Sequence, residues 1–167
     1  SLGISNSVGV LEAYTQKFTS QAASIRSTQD TLAQLIAKGP SFSSAGSLNQ
    51  QLQQAVDSFA IGQSYLVDAK SPQQALPWLQ ASASMPQGFG LLSQLSLAQA
   101  YASGSHGIPK DTDSAQTYLK QANGSIATLM GNNSPQAQQL LKMLPAPPNE
   151  IQNQIQRAMK QMQLDVQ

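Results

Sequence analysis

GQSYLVDAKSPQQALPWLQASA, residues 62–83, and AQAYASGSHGIPKDTDSAQTYLKQA, residues 98–122, share one plan. Tyr65 aligns with Tyr101, Ala75 with Ala115, Trp78 with Tyr118 and Leu79 with Leu119, with four extra residues in the loop of the second copy. Each copy reads as helix, turn and helix. Ser71-Pro72 has the form of a cap followed by a first-turn proline, and Asp111 or Thr112 can cap the matching helix of the second copy. Pro77 falls inside the first of these helices and reads as a short distortion rather than a stop. The alanines are small where two helices must approach closely, and the aromatic and leucine side chains fill the gap between one pair and the next. At this spacing Trp78 and the tyrosines read as core, not as platforms for stacking a ligand.

Upstream, Ile4, Leu11, Phe18, Ile25 and Leu32 recur every seventh residue, with Val8, Ala22 and Ile36 in the alternate row. This predicts one long amphipathic helix over residues 1–39, ended by Gly39-Pro40. Thr15 and Gln29 interrupt the alternate row, which favours packing on the chain's own body over a coiled coil, while a homo-oligomer seam through residues 4–36 stays open. SFSSAGS follows as a loop, and from Ser47 the run Leu48, Leu52, Val56, Phe59 and Tyr65 carries a buried helical stripe. Further helices are expected over Leu91–Ala102, from about Thr112 to Ala122, from Ser134-Pro135 through Leu144, and from Asn149 through Val166. The fold class is therefore all-α. Residues 1–167 read as a single helical domain: the N-terminal helix 1–39, two helix pairs over 47–124, and a degenerate third unit with a capping helix over 125–167.

The second copy resembles a Sel1-like repeat, through LAQAY, a loop holding Gly104 and Gly107-Ile108 before Asp111, and a helix with Ala115, Tyr118, Leu119 and Ala122. The first copy is similar to a tetratricopeptide repeat. The resemblance covers roughly residues 55–124. It implies that the first helices of successive pairs line a surface that binds peptides or other proteins. On those helices Gln63 and Gln99 stand two residues before Tyr65 and Tyr101, where an amide can offer both a donor and an acceptor to an extended backbone.

Composition narrows the function. Hydrophobic residues make up 40% of the chain and charged residues 10%, so Gln, Ser, Asn and Ala supply most of the polar surface. A net charge of +1 with no basic run leaves nothing to neutralise a row of phosphates, which argues against nucleic acid or an anionic membrane as partner. No apolar run reaches the ~20 residues that a membrane helix needs. With no Cys and a single His, His106, nucleophilic dyads and zinc sites lack their ligands, and no cofactor or metal is expected. The eight acids are scattered and stand in no recognisable motif.

These features point to a non-enzymatic scaffold or adaptor with a protein or peptide partner. The Cys-free, charge-poor, Gln/Ser/Asn-rich composition further suggests an exported bacterial protein, periplasmic or secreted, within an envelope-associated assembly. The chain starts at Ser1 rather than Met, from which we expect a removed leader or a preceding domain. The alternatives are a structural subunit assembling through the N-terminal helix and, more remotely, a cell-wall hydrolase.

Overall fold

A computed structural model of the protein describes residues 29–40 and 46–166. Among these residues every regular element is helical: α1 (Gln29–Lys38), α2 (Leu48–Gln63), α3 (Pro72–Ala83), α4 (Leu91–Ser103), α5 (Thr112–Met130), α6 (Pro135–Lys142) and α7 (Pro148–Val166). Of the long N-terminal helix read from the sequence, the part before Gln29 lies outside the described residues.

The helix starts follow local chemistry. Ser47 opens α2 with a capping box: its hydroxyl accepts from the Gln50 N–H at 3.2 Å, and Gln50 Oε1 accepts from the Ser47 N–H at 2.8 Å. Asp111 caps α5, and Ser134 caps α6 ahead of Pro135. Gly104 ends α4 in the left-handed conformation at φ 66°, the conformation that costs glycine least. Beyond Gln63 the backbone loosens into a single π-helical stretch, Ser64–Asp68, closed by the Ala69 N–H on the Ser64 carbonyl at 3.0 Å.

Packing runs along the chain: α2 lies on α3, α3 on α4, α4 on α5, and α5 on α7, while α6 touches both α5 and α2. At the centre is α4, in which every residue from Leu91 to Ala100 is buried. A helix hidden on all sides has to be apolar or internally bonded all round. Leu91, Leu92, Leu95 and Leu97 supply the apolar faces, and Gln94 bridges its neighbours. The Gln94 amide donates to the Ala83 carbonyl at the end of α3 at 2.9 Å, and its oxygen accepts from the Ser125 hydroxyl of α5 at 2.7 Å. One buried side chain thus ties together the helices on either side of it. On α2, Gly62 permits the closest approach to α3, since a Cβ there would stand 2.7 Å from Leu79 Cγ.

One boundary differs from the sequence reading. The helix expected to stop near Ala122 continues to Met130, so residues 125–130 extend α5 instead of opening a third helix pair. Gly124 causes no break because it faces open space, while Ser125 and Ile126 on the other side of the turn are buried. α3 passes through Pro77 without stopping.

Candidate functional site: a glutamine-lined cleft beside two like-built helix pairs

The eight residues read as defining the two copies are all buried or half-buried. Ala75, Leu79, Ala115 and Leu119 are wholly buried, Trp78 is buried, and Tyr65, Tyr101 and Tyr118 are half-buried against the core. The backbone repeats as well. The Tyr65 carbonyl accepts from the Ser71 N–H at 2.8 Å, and the Tyr101 carbonyl accepts from the Asp111 N–H at 2.9 Å. In both copies the donor is the N-cap residue of the second helix. Four residues further on, the Ala75 N–H bonds the Ser71 carbonyl and the Ala115 N–H bonds the Asp111 carbonyl, each at 3.0 Å. The extra residues of the second loop leave the clasp unchanged, and Ile108 among them is buried in the core.

The aromatic positions differ. Tyr101 and Tyr118 stack with ring centroids 6.0 Å apart and planes 3° from parallel. Burial, and secondarily the neighbouring Tyr101, raises the pKa of the Tyr118 phenol above its ordinary value. Asp111 is shifted the other way, its pKa held below the usual carboxylate range by the Ser114 hydroxyl at 2.8 Å and the Ser114 N–H at 3.1 Å. His106 is exposed in the loop between them.

The placement of Gln63 and Gln99 on a partner-binding surface is corrected. They are 5% and 4% exposed. Gln63 Oε1 accepts from the Ser96 hydroxyl across the two helix pairs at 2.6 Å, and the Gln99 amide turns back toward Ser103 and Ser105 at 3.2 and 3.4 Å. The Gln63 amide is committed to the core between α2 and α4, and the Gln99 amide to the serines at the C-terminal end of α4.

Exposed amides of the first helix pair lie elsewhere, in a cleft of about 290 Å³ between α1 and α2. Gln34, Leu35 and Lys38 of α1 line one wall, and Gln50, Gln53 and Gln54 of α2 are among those lining the other. Gln53 donates to Asp57 Oδ1 at 3.1 Å, and Gln50 is held by the capping box. Gln54 Oε1 is shielded from solvent and has no hydrogen-bond partner. Such an acceptor is costly to leave unmet. The sequence signal was NQQLQQ, residues 49–54, whose glutamines recur at helical spacing beside the apolar stripe.

A second cleft, of about 580 Å³, opens at the loop end of the second pair, between Tyr101 and the segment Pro109–Asp113. Its carboxylate at Asp111 is committed to capping α5. Among the described residues no helix is long and apolar enough to cross a membrane, and no three His, Cys, Asp or Glu side chains converge as a metal site. No family model, no curated protein and no solved structure matches the chain.

Proposed function

We propose that the protein is a non-enzymatic scaffold of the tetratricopeptide and Sel1-like kind, holding a polypeptide partner within an exported or envelope-associated bacterial assembly. The observation that carries this reading is the clasp made twice, from a tyrosine carbonyl to the N-cap N–H of the following helix, with the same alanine and leucine pair buried behind it. A fold that repeats one helix pair in sequence and in backbone bonding has the construction of a recognition solenoid. The partner's backbone enters the cleft between α1 and α2, where the amides of Gln34, Gln50, Gln53 and Gln54 stand beside one cation, Lys38, and one carboxylate, Asp57. That fits a chain with 10% charged residues.

Affinity capture on the full chain, followed by mass spectrometry, identifies the partner. Gln34→Ala combined with Gln54→Ala should then lower its affinity by about tenfold, the loss of one or two hydrogen bonds. Gln73→Ala combined with Gln80→Ala, on the exposed face of α3, should leave it unchanged. Loss with the α3 pair and not with the cleft pair would overturn the assignment.

One observation favours a second reading, a structural subunit that assembles through the N-terminal helix. Ile36, the last apolar residue of the seven-residue pattern, is 42% exposed on α1. Light scattering over a range of concentrations separates the two, since a constant monomer mass is incompatible with a self-assembling subunit.

A further inference from the structure

We propose that α6 is a displaceable occupant of its own docking groove, and that the partner supplies a short amphipathic helix that takes its place. This rests on the scaffold reading and adds a second contact, a helical segment of the same partner distinct from the backbone stretch that enters the cleft between α1 and α2. α6 reaches from α2 of the first helix pair to α5 of the second. It docks through Ala137, Leu140, Leu141 and Leu144, with Met143 buried beside them. The spacing i, i+3, i+4, i+7 is that of a helix laid into a groove, so α6 displays the shape of what the groove accepts.

The means of attachment is slight compared with the rest of the core. α6 has eight residues, and a helix of that length is marginal without tertiary support. It is set between the Asn132–Ser134 turn, where Asn132 Oδ1 accepts from the Ser134 N–H at 2.9 Å, and the proline-rich stretch PAPP, residues 145–148. Its side-chain bond to α2 is one exposed amide pair, Gln136 Nε2 to Asn49 Oδ1 at 2.7 Å. By contrast α5 and α7 are each 19 residues long. Opening α6 alone exposes four or five apolar side chains and leaves the two helix pairs and their clasps closed, a sub-global opening of the kind that binding segments exploit.

The test uses a labelled synthetic peptide of residues 133–146, followed by fluorescence anisotropy against the full chain. When an internal segment holds a groove, the apparent affinity of a competitor falls by the fraction of molecules that are open. Leu140→Ala weakens the docked segment and should tighten peptide binding by about tenfold or more. Locking α6 down should abolish binding: with no native thiol, Asn49→Cys and Gln136→Cys can be bridged by a short bis-maleimide. Equal affinities for all three chains, or no binding to a folded Leu140→Ala chain, would overturn the proposal. So would a shift of that variant to a dimer without peptide binding, which would mean exchange of α6 between copies. If Leu140→Ala does not fold, hydrogen exchange on the unaltered chain decides. The amides of residues 137–142 should exchange well before those of α4 and α5, and exchange only with global unfolding would refute the idea. The peptide comes from the chain itself, so these outcomes are independent of the capture experiment. Competition without any captured partner would sink the scaffold reading and spare the groove, and the converse would spare only the scaffold.

Discussion

The two helix pairs share a clasp and a buried alanine and leucine, yet they solve the joint between their helices differently. In the first pair a large indole at Trp78 is buried, the connection is short, and α2 unwinds into one π-helical stretch before α3 begins. In the second, Tyr118 at the aligned position is half-buried and stacked on Tyr101, and a longer loop carries the chain to the same N-cap bond. The comparison separates what the two helix pairs share from what differs between them. The carbonyl clasp and the small residue at the crossing are kept, while the aromatic filler and the loop vary. The difference also predicts that the first pair is more sensitive to truncation, and the second more sensitive to pH.

The largest expected effect is at the aromatic position. Trp78→Ala should destabilise the protein by about 3–5 kcal/mol, because a buried indole leaves a cavity that its surroundings fill only in part. Tyr118→Ala should cost about 1–2 kcal/mol, the loss of a half-buried ring and its stacking contact. Urea titrations of both variants check the ratio. Equal losses would mean that the two joints bear the same load and that the contrast in burial has no energetic counterpart.

The crossing of the helices gives the next test. Gly62→Ala sets a methyl group 2.7 Å from Leu79 Cγ, in a place where the leucine is itself wholly buried. Overpacking of this kind costs about 1–3 kcal/mol and outweighs the gain of about 1 kcal/mol in helix propensity. Ala98, at the same offset in the second copy, already carries that methyl and is buried. Ala98→Gly should cost about 1–2 kcal/mol, the backbone entropy of glycine in a helix together with the loss of one buried methyl group. A thermal melt that finds Gly62→Ala stabilising would show that α2 and α3 can separate without loss.

The aligned glutamines sharpen the comparison further and show where the sequence misleads. Gln63→Ala should lower stability by about 1–3 kcal/mol, since it strips the Ser96 hydroxyl of its acceptor inside the core. Gln99→Ala should cost less. Ser103 keeps its bond to the Gln99 carbonyl at 2.9 Å, and the loop around Ser105 remains near solvent. Denaturant midpoints of the two variants would reveal a shared surface role, if there is one, as negligible loss at both positions.

What could be read from the sequence follows from which forces act locally. Caps such as Ser47, Asp111 and Ser134 and the 3.6-residue apolar stripes fixed the all-α class and most helix starts, because these signals act within one or two turns. The alignment of Tyr65 with Tyr101 anticipated matched burial at the aligned alanines and leucines. Solvent exposure of Gln63 and Gln99 was not legible, because it depends on how many neighbours enclose a helix. α4 is enclosed by helices both before and after it in the chain, a property of the assembled fold. The end of α5 was misplaced for a related reason. Asn123-Gly124 resembles a stop, yet the buried Ser125, bonded to Gln94 thirty-one residues away, lies within the continuing helix.

The smallest effect is one that only the second pair can show. Folding raises the pKa of the Tyr118 phenol, burial first and the neighbouring Tyr101 second, so the folded state favours the neutral phenol more than the unfolded chain does. For an acid whose folded pKa lies above its unfolded value, the contribution is fully present below the unfolded pKa, about 10 for tyrosine. It is lost as the pH rises through the higher folded value. The melting temperature should therefore fall more steeply above about pH 10 in the native chain than in Tyr118→Phe, which has no proton to lose there. Phenolate absorbance in the ultraviolet should place the Tyr118 titration above that of a free tyrosine, and parallel alkaline melting curves for the native chain and Tyr118→Phe would show that the phenol does not sense the fold. The aligned Trp78 cannot ionise, so any difference between those curves isolates the joint of the second pair from that of the first.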